Sequence, residues 1–216
     1  MRHQFHEEMN NLNAKLLQMG VLVQEGLNKS LQCVVKKNLD QAMNVIDEDR
    51  LLNNLELGVE ADSTKLLALQ QPMAIDLRMI IAAIRISGDM ERMGDLIKKI
   101  CQKVTKLNDY DYSAVVPDIQ KMYQHVNEML ADMLKALKEK DVDLAIELSK
   151  KDKAVDDDQQ ILYRKLLKTL HDDEKNADEI MYVMSIIRAL ERIGDHIENV
   201  AEKIIFIKEG SLVHLN

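Results

Sequence analysis

Glu91-Arg92-Met93-Gly94-Asp95, "ERMGD", returns one hundred residues later as Glu191-Arg192-Ile193-Gly194-Asp195, "ERIGD". In an α-helix, residues four apart share a face, so each motif sets two carboxylates side by side. Like charges at that spacing destabilise an isolated helix by roughly 0.2–0.5 kcal/mol. A chain that accepts this twice, in register, is read as a repeat with something positive opposite each pair.

Working outward, the line Leu77, Ile81, Ile84, Gly88 runs at spacings of four and three into Glu91 and Asp95, and Ile180, Met184, Ile187 runs likewise into Glu191. Each acidic pair is therefore expected at the margin of a packed helix face. Upstream, Phe5, Met9, Leu12, Leu16, Met19, Val23, Leu27, Leu31 and Val34 form one stripe of a long first helix. A second helix is predicted from Leu39 to Gln71, with the stripe Leu52, Leu55, Val59, Leu66, Leu69 and a stop at Pro72, because proline lacks a backbone donor and clashes with the preceding turn. The third spans Ile75 to Leu107.

The segment "NDYDYSAVVP" at 108–117 reads as a linker, with Pro117 suited to the first turn of the next helix. Beyond it the pattern repeats. At a shift of 103, Leu16, Met19, Val23 and Leu27 meet Ile119, Met122, Val126 and Leu130, and "NLDQA" at 38–42 meets "DVDLA" at 141–145. Past the connection "LLALQQPMAIDLRMI" the shift becomes 100, which sets the third helix against the sixth. The expected fold is all-α: two tandem three-helix bundles related by a pseudo-twofold, over residues 1–108 and 114–209.

Composition supports that class. Only 7 Gly and 2 Pro interrupt the 216 residues, and aromatics make up 3%. A net charge of −8 argues against nucleic acid as a partner, since that affinity rests on Lys and Arg pairing with phosphates. Cys33 and Cys101 form no CxxC pair and read as buried, reduced thiols. The N-terminus lacks an apolar targeting core, and the most apolar run, "MIIAAI" at 79–84, is too short to cross a bilayer. The expectation is a soluble, cytoplasmic protein without direct membrane insertion.

The second helix of each half adds oxygen ligands in register. Ala42, Ile46, Asp49, Asn53, Glu56 and Glu60 recur on one line, and the 103 shift carries Asp49 and Asn53 onto Asp152 and Asp156. Arg50, Arg92, Arg192, Lys151 and Lys153 are candidates to neutralise these groups as surface ion pairs. Alternatively, carboxylates without thiolate or imidazole suit hard cations such as Mg²⁺, Mn²⁺, Ca²⁺ or Fe³⁺. Neither half contains the Glu-x-x-His of ferritin-like oxidases, and His3 and His6 are assigned no function. Gly94 and Gly194 read chiefly as close-packing positions.

The assembled pattern resembles the PhoU family of phosphate-signalling regulators, which has two three-helix repeats, each with "ERxGD" in its third helix and an acidic pair on its second. "ERMGDLIKKI", "ERIGDHIENVAEKI" and the connection "LLALQQPMAIDLRMI" carry that resemblance over nearly the full length. It implies multinuclear clusters of divalent or trivalent ions (Fe, Zn, Mn or Mg) held by Asp49, Asn53, Glu91 and Asp95 in one half and by Asp152, Asp156, Glu191 and Asp195 in the other. Asn53 departs from the acidic pattern and leaves the first set one charge short unless Glu56 or Glu60 contributes. The resemblance further implies a non-enzymatic, homodimeric negative regulator of phosphate uptake and of the phosphate-starvation response. Its implied partners are the ATPase subunit of the phosphate ABC transporter and a sensor histidine kinase. The competing readings are a carboxylate-bridged metal enzyme and a metal-free helical scaffold.

Overall fold

The computed structural model describes residues 2–70, 72–107, 110–172, 174–211 and 215. Among them are six long α-helices and no strand: α1 (Arg2–Lys36), α2 (Leu39–Gln70), α3 (Ile75–Val104), α4 (Val116–Glu139), α5 (Val142–Asp172) and α6 (Ala177–Glu209). α1 to α3 form one antiparallel bundle and α4 to α6 the other, and the halves meet along α3 against α6 and α1 against α4. Two tandem three-helix bundles are thus the architecture. Gln71 and residue 108, expected to end the second helix and the first domain, lie outside the described residues. No helix among the described residues is long and apolar enough to cross a membrane.

The α1 stripe is the core seam: Phe5, Met9, Leu12, Leu16, Met19, Val23, Leu27 and Val34 are all buried. Each fully buried aliphatic side chain contributes about 1.5–3 kcal/mol relative to exposure. α2 departs from expectation. Its buried line runs Ala42, Val45, Asp49, Leu52, Val59, Ser63, Leu66, while Leu69 is 67% exposed. Two polar residues thus stand within the packed face. α3 ends at Val104, not Leu107, because Thr105 and the two residues after it close a tighter turn whose amides return to Cys101, Lys103 and Val104 carbonyls. Cys33 and Cys101, far apart in sequence, come into thiol contact in the core, and burial pushes both thiols up.

The repeat extends to its turns. Lys37 and Lys140 end α1 and α4 with φ of 50° and 55°. After each, an Asx side chain caps the next helix: Asn38 Oδ1 accepts from the Gln41 amide at 3.1 Å, and Asp141 Oδ1 from the Leu144 amide at 3.0 Å. Ion pairs recur at equivalent places too, with their signs exchanged. Lys15 meets Asp62 at 2.7 Å where the second half has Asp118 with Lys165 at 2.5 Å. Lys29 meets Glu48 at 2.6 Å where the second half pairs Asp132 with Lys151.

Between halves, α1 and α4 approach closely at Gly20, where a Cβ would stand 2.0 Å from Leu134 Cδ2. His196 Nδ1 lies 2.9 Å from Asp89 Oδ1 across the α3/α6 contact. The symmetry-related positions, Leu96 and Ala189, are buried and apolar. The pseudo-twofold holds for the backbone and lapses in the charges.

Candidate functional site

α2 and α3 pack so that Asp49 and Asn53 face the Glu91/Asp95 side of α3. Asp49 is only 8% exposed, because it occupies a core position of the α2 stripe. Its Oδ2 accepts from Lys98 Nζ at 2.7 Å, and this hydrogen bond holds the lysine above its ordinary pKa. Its Oδ1 is buried without a hydrogen-bond donor, as is Asn53 Oδ1. Burial raises Glu91, and the Asp95 charge adds to the shift. Glu56 is raised by burial and then by Glu91, which puts it in the field of the same cluster, whereas Glu60 is exposed. A Cβ on Gly94 would stand 3.4 Å from Leu52 Cδ1 and 3.8 Å from Asp49 Oδ1.

α5 and α6 repeat the geometry without the lysine. Asp152, the counterpart of Asp49, is 7% exposed. Its carboxyl is pushed up to about 7, first by burial and then by the charges of Asp156, Glu198, Asp195 and Glu191. Burial also raises Glu191, helped by Asp195 and Asp156, and raises Asp195, helped by Asp156. Among the described residues no hydrogen bond or ion pair engages Asp152, Asp156, Glu191 or Asp195; Arg188 and Arg192 act on Glu191 only through space. α6 can approach α5 this closely because Gly194 lacks a side chain: a Cβ there would stand 2.7 Å from Asp152 Oδ1.

The structure therefore brings the eight sequence-predicted residues onto facing helices, four per half. As they lie, no three Asp, Glu, His or Cys side chains among the described residues converge closely enough to hold a metal ion. Mutual repulsion of uncompensated carboxylates favours such separation. Of the surface cations expected to neutralise them, Arg92 pairs with Glu91 at 3.7 Å, whereas Arg50 donates to the Asp47 carbonyl and Lys151 pairs with Asp132.

Sequence reasoning missed the group that distinguishes the two faces. Lys98 and Glu198 are equivalent at the shift of 100, each three residues past the motif aspartate and seven past its glutamate, hence on the same helix face. The signal was the charge reversal at that position. Glu198 is 2% exposed and contributes to the rise of Asp152.

Known proteins share this fold and its two repeats. The PhoU domain family matches residues 16–104 and again 119–204. The chain is 32% identical over 219 residues to a Streptococcus pneumoniae protein named phosphate-specific transport system accessory protein PhoU homolog, covering 100% of both. It is 28% identical over 207 residues to the Serratia marcescens phosphate-specific transport system accessory protein PhoU, covering 96% of this chain and 85% of the relative. Its fold superposes on the crystal structure of PhoU from Pseudomonas aeruginosa with a TM-score of 0.91 at 28% identity, over 96% of this chain and 100% of that one. The phosphate transport system regulatory protein PhoU from Streptococcus pneumoniae gives 0.89 at 29% identity, over 97% and 99%. With both repeats matched and each carrying its acidic pairs on equivalent helices, this chain belongs to the PhoU domain family.

Proposed function

We propose that this protein is a cation-dependent, non-enzymatic regulator in phosphate transport, acting in the cytoplasm as a homodimer. In this reading it restrains phosphate uptake and the phosphate-starvation response by docking on the ATPase subunit of a phosphate ABC transporter and on a sensor histidine kinase. The names of its relatives, phosphate-specific transport system accessory proteins, support the phosphate-transport setting.

The observation that carries the cation dependence is the second-half cluster, where buried Asp152 faces Gly194 beside Asp156, Glu191 and Asp195, none of them ion-paired among the described residues. The donor set fits hard cations, with all ligands oxygen, and the buried Oδ1 atoms of Asp49 and Asn53 lack donors. Asp49, Asn53, Glu91 and Asp95 would hold metal in the first half, with Glu56 beside them; Asp152, Asp156, Glu191 and Asp195 would do so in the second, with Glu198. A cation held there would supply the positive charge that these carboxylates otherwise lack. The protein's own part is to hold those oxygens at the core margin, and Gly94 and Gly194 keep the helices close.

Metal analysis of the purified full chain, beside the variant Glu191→Ala/Asp195→Ala, tests the site. Bound metal in the parent and its loss from a folded variant are expected; equal metal content removes the assignment, and no metal in either favours the scaffold reading. Turnover of a redox or phosphoester substrate that depends on Glu191 would instead favour a carboxylate-bridged metal enzyme. For the regulatory role, a deletion strain should keep starvation genes switched on in ample phosphate. Normal repression there, with no binding of the metal-loaded protein to the transporter ATPase or the kinase, overturns it.

A further inference from the structure

The reversal of charge between Lys98 and Glu198 alters more than the total charge of the two faces. Lys98 stands three residues past Asp95 and seven past Glu91, so its stem runs along the side of α3 that carries both carboxylates. Its ammonium reaches across to α2 and donates to Asp49 Oδ2 at 2.7 Å, within the field of Asp95 and Glu91 as well. The lysine thus places a positive charge among the same groups to which a free cation would be drawn.

The two partners of this bond differ in how far they can move. The Asp49 side chain is 5% exposed and held in the packed line of α2, whereas the Lys98 side chain is 32% exposed and opens onto solvent. With Oδ2 engaged by the lysine, only Oδ1 of Asp49 is left without a donor. Full use of that carboxylate by another cation therefore requires the ammonium to leave. The second face has no such occupant at the equivalent place: Glu198 replaces the lysine, and Asp156 replaces the neutral Asn53. Lysines of α5 close to Asp152 in sequence are turned to other partners, Lys150 to Glu147 and Lys151 to Asp132. Four carboxylates at the first face, Asp49, Glu56, Glu91 and Asp95, thus share an ammonium, while at the second face Asp152, Asp156, Glu191 and Asp195 are joined by a fifth carboxylate in the lysine's place.

We infer, resting on the cation-binding reading above, that Lys98 is the resident cation of the first face, a tethered ammonium that must release Asp49 before this face accepts a metal ion. The two faces then fill in sequence. The second fills first, because no ammonium has to leave Asp152. The first fills only at concentrations about 10- to 100-fold higher, the factor expected for breaking a hydrogen bond between charged groups. Its filling alone frees an amine to solvent. Tethering gives that amine a high effective concentration at Asp49, so it returns when the cation level falls. The second face is accordingly a standing site, and the first a gauge of cation level.

The probe is Mn²⁺, titrated calorimetrically into the metal-stripped full chain. Two phases are expected, the tighter lost in Glu191→Ala/Asp195→Ala and the weaker retained. Lys98→Met, which keeps an apolar stem and removes the charge, should tighten the weaker phase about 10- to 100-fold and leave the tighter one unchanged; unaltered helix content by circular dichroism shows that the variant folds. In the parent, acetylation of Lys98 by acetic anhydride, read by mass spectrometry, should be slow in chelator, since an ammonium held by a carboxylate keeps its proton. It should accelerate as the weaker phase saturates, while exposed Lys138 reacts alike throughout. Acetylation of Lys98 that Mn²⁺ leaves unchanged or slows overturns the inference. So does a weaker phase that Lys98→Met fails to tighten, or a single phase of uniform affinity in the parent; in each of these cases metal still binds and the cation-binding reading stands. The absence of any Mn²⁺ binding removes that reading itself, and the inference with it.

Discussion

Three residues past their motif aspartates, the first half carries Lys98 and the second Glu198, and this exchange gives two faces of one backbone opposite electrostatic states. In the first, an ammonium 2.7 Å from Asp49 supplies a built-in counter-charge. In the second, an additional buried carboxylate joins four others, and Asp152 is pushed up to about 7. Burial of an aspartate is nearly the same in both, so depth alone does not decide how a buried carboxylate behaves. The nearest charge does.

The comparison breaks most sharply when the odd residues are exchanged. Glu198→Lys is expected to import the first half's built-in counter-charge and lower cation affinity at the second face roughly 10–100-fold, read by isothermal titration with Mn²⁺. Lys98→Glu should raise affinity at the first face in the same experiment. Equal affinities in parent and both variants would show that the two faces do not differ as argued.

A second test uses the glycines. Alanine at either position gains up to about 1 kcal/mol of helix propensity. At Gly94 the nearest atom is 3.4 Å from the new Cβ, so Gly94→Ala should raise the unfolding temperature and leave cation binding intact. At Gly194 the new Cβ would meet Asp152 Oδ1 at 2.7 Å, so Gly194→Ala should turn that carboxylate away and lose metal. Identical behaviour of the two variants in thermal unfolding and metal content would contradict the asymmetry.

Neutralising the buried aspartates should give changes of opposite sign. In chelator at neutral pH, Asp152→Asn is expected to stabilise by on the order of 2 kcal/mol, since it removes a carboxylate held above its usual range. Asp49→Asn should destabilise by a similar amount, because it strips Lys98 of its partner. The pH dependence follows. With its native value near 7 and its unfolded value near 4, Asp152 binds its proton more tightly when folded. Its contribution is therefore fully present below about pH 4 and lost as pH rises to about 7. Denaturant titrations in chelator across that window should show stability falling with pH in the parent and a flatter profile in Asp152→Asn.

The smallest effect belongs to the exchanged ion pairs. The double variant Lys15→Asp/Asp62→Lys, which reverses the pair, should change stability by less than about 0.5 kcal/mol, whereas Lys15→Asp alone sets like charges together at the α1/α2 contact and should cost about 0.5–1 kcal/mol. Chemical denaturation of the parent and the two variants checks it.

Most of this frame is legible in the chain. α1 shows its stripe because it buries one apolar face along its whole length. α2 was misread at Leu69 because its packed face admits Asp49 and Ser63, which break the apolar period just where it would be counted. The acidic pairs are visible as i,i+4 spacings, whereas Lys98 and Glu198 lie one turn beyond the motif, where a single charge in each half makes no pattern of its own. The thiol contact of Cys33 with Cys101 depends on how α1 lies against α3, which no single-helix pattern encodes.

The reversed signs of the two ion-pair sets also bear on how the chain avoids misassembly. During synthesis the first three helices emerge before the last three, and the halves are similar enough in apolar pattern for α4 to settle on α2, or α1 on α5. In the first error Asp118 would face Asp62 and Asp132 would face Glu48; in the second, Lys15 would face Lys165 and Lys29 would face Lys151. Every exchanged partnership is repulsive at two points while every native one is attractive. A duplicated fold thereby labels each helix with the half to which it belongs, and the traps open to a tandem repeat are closed by charge at a cost of almost no native stability.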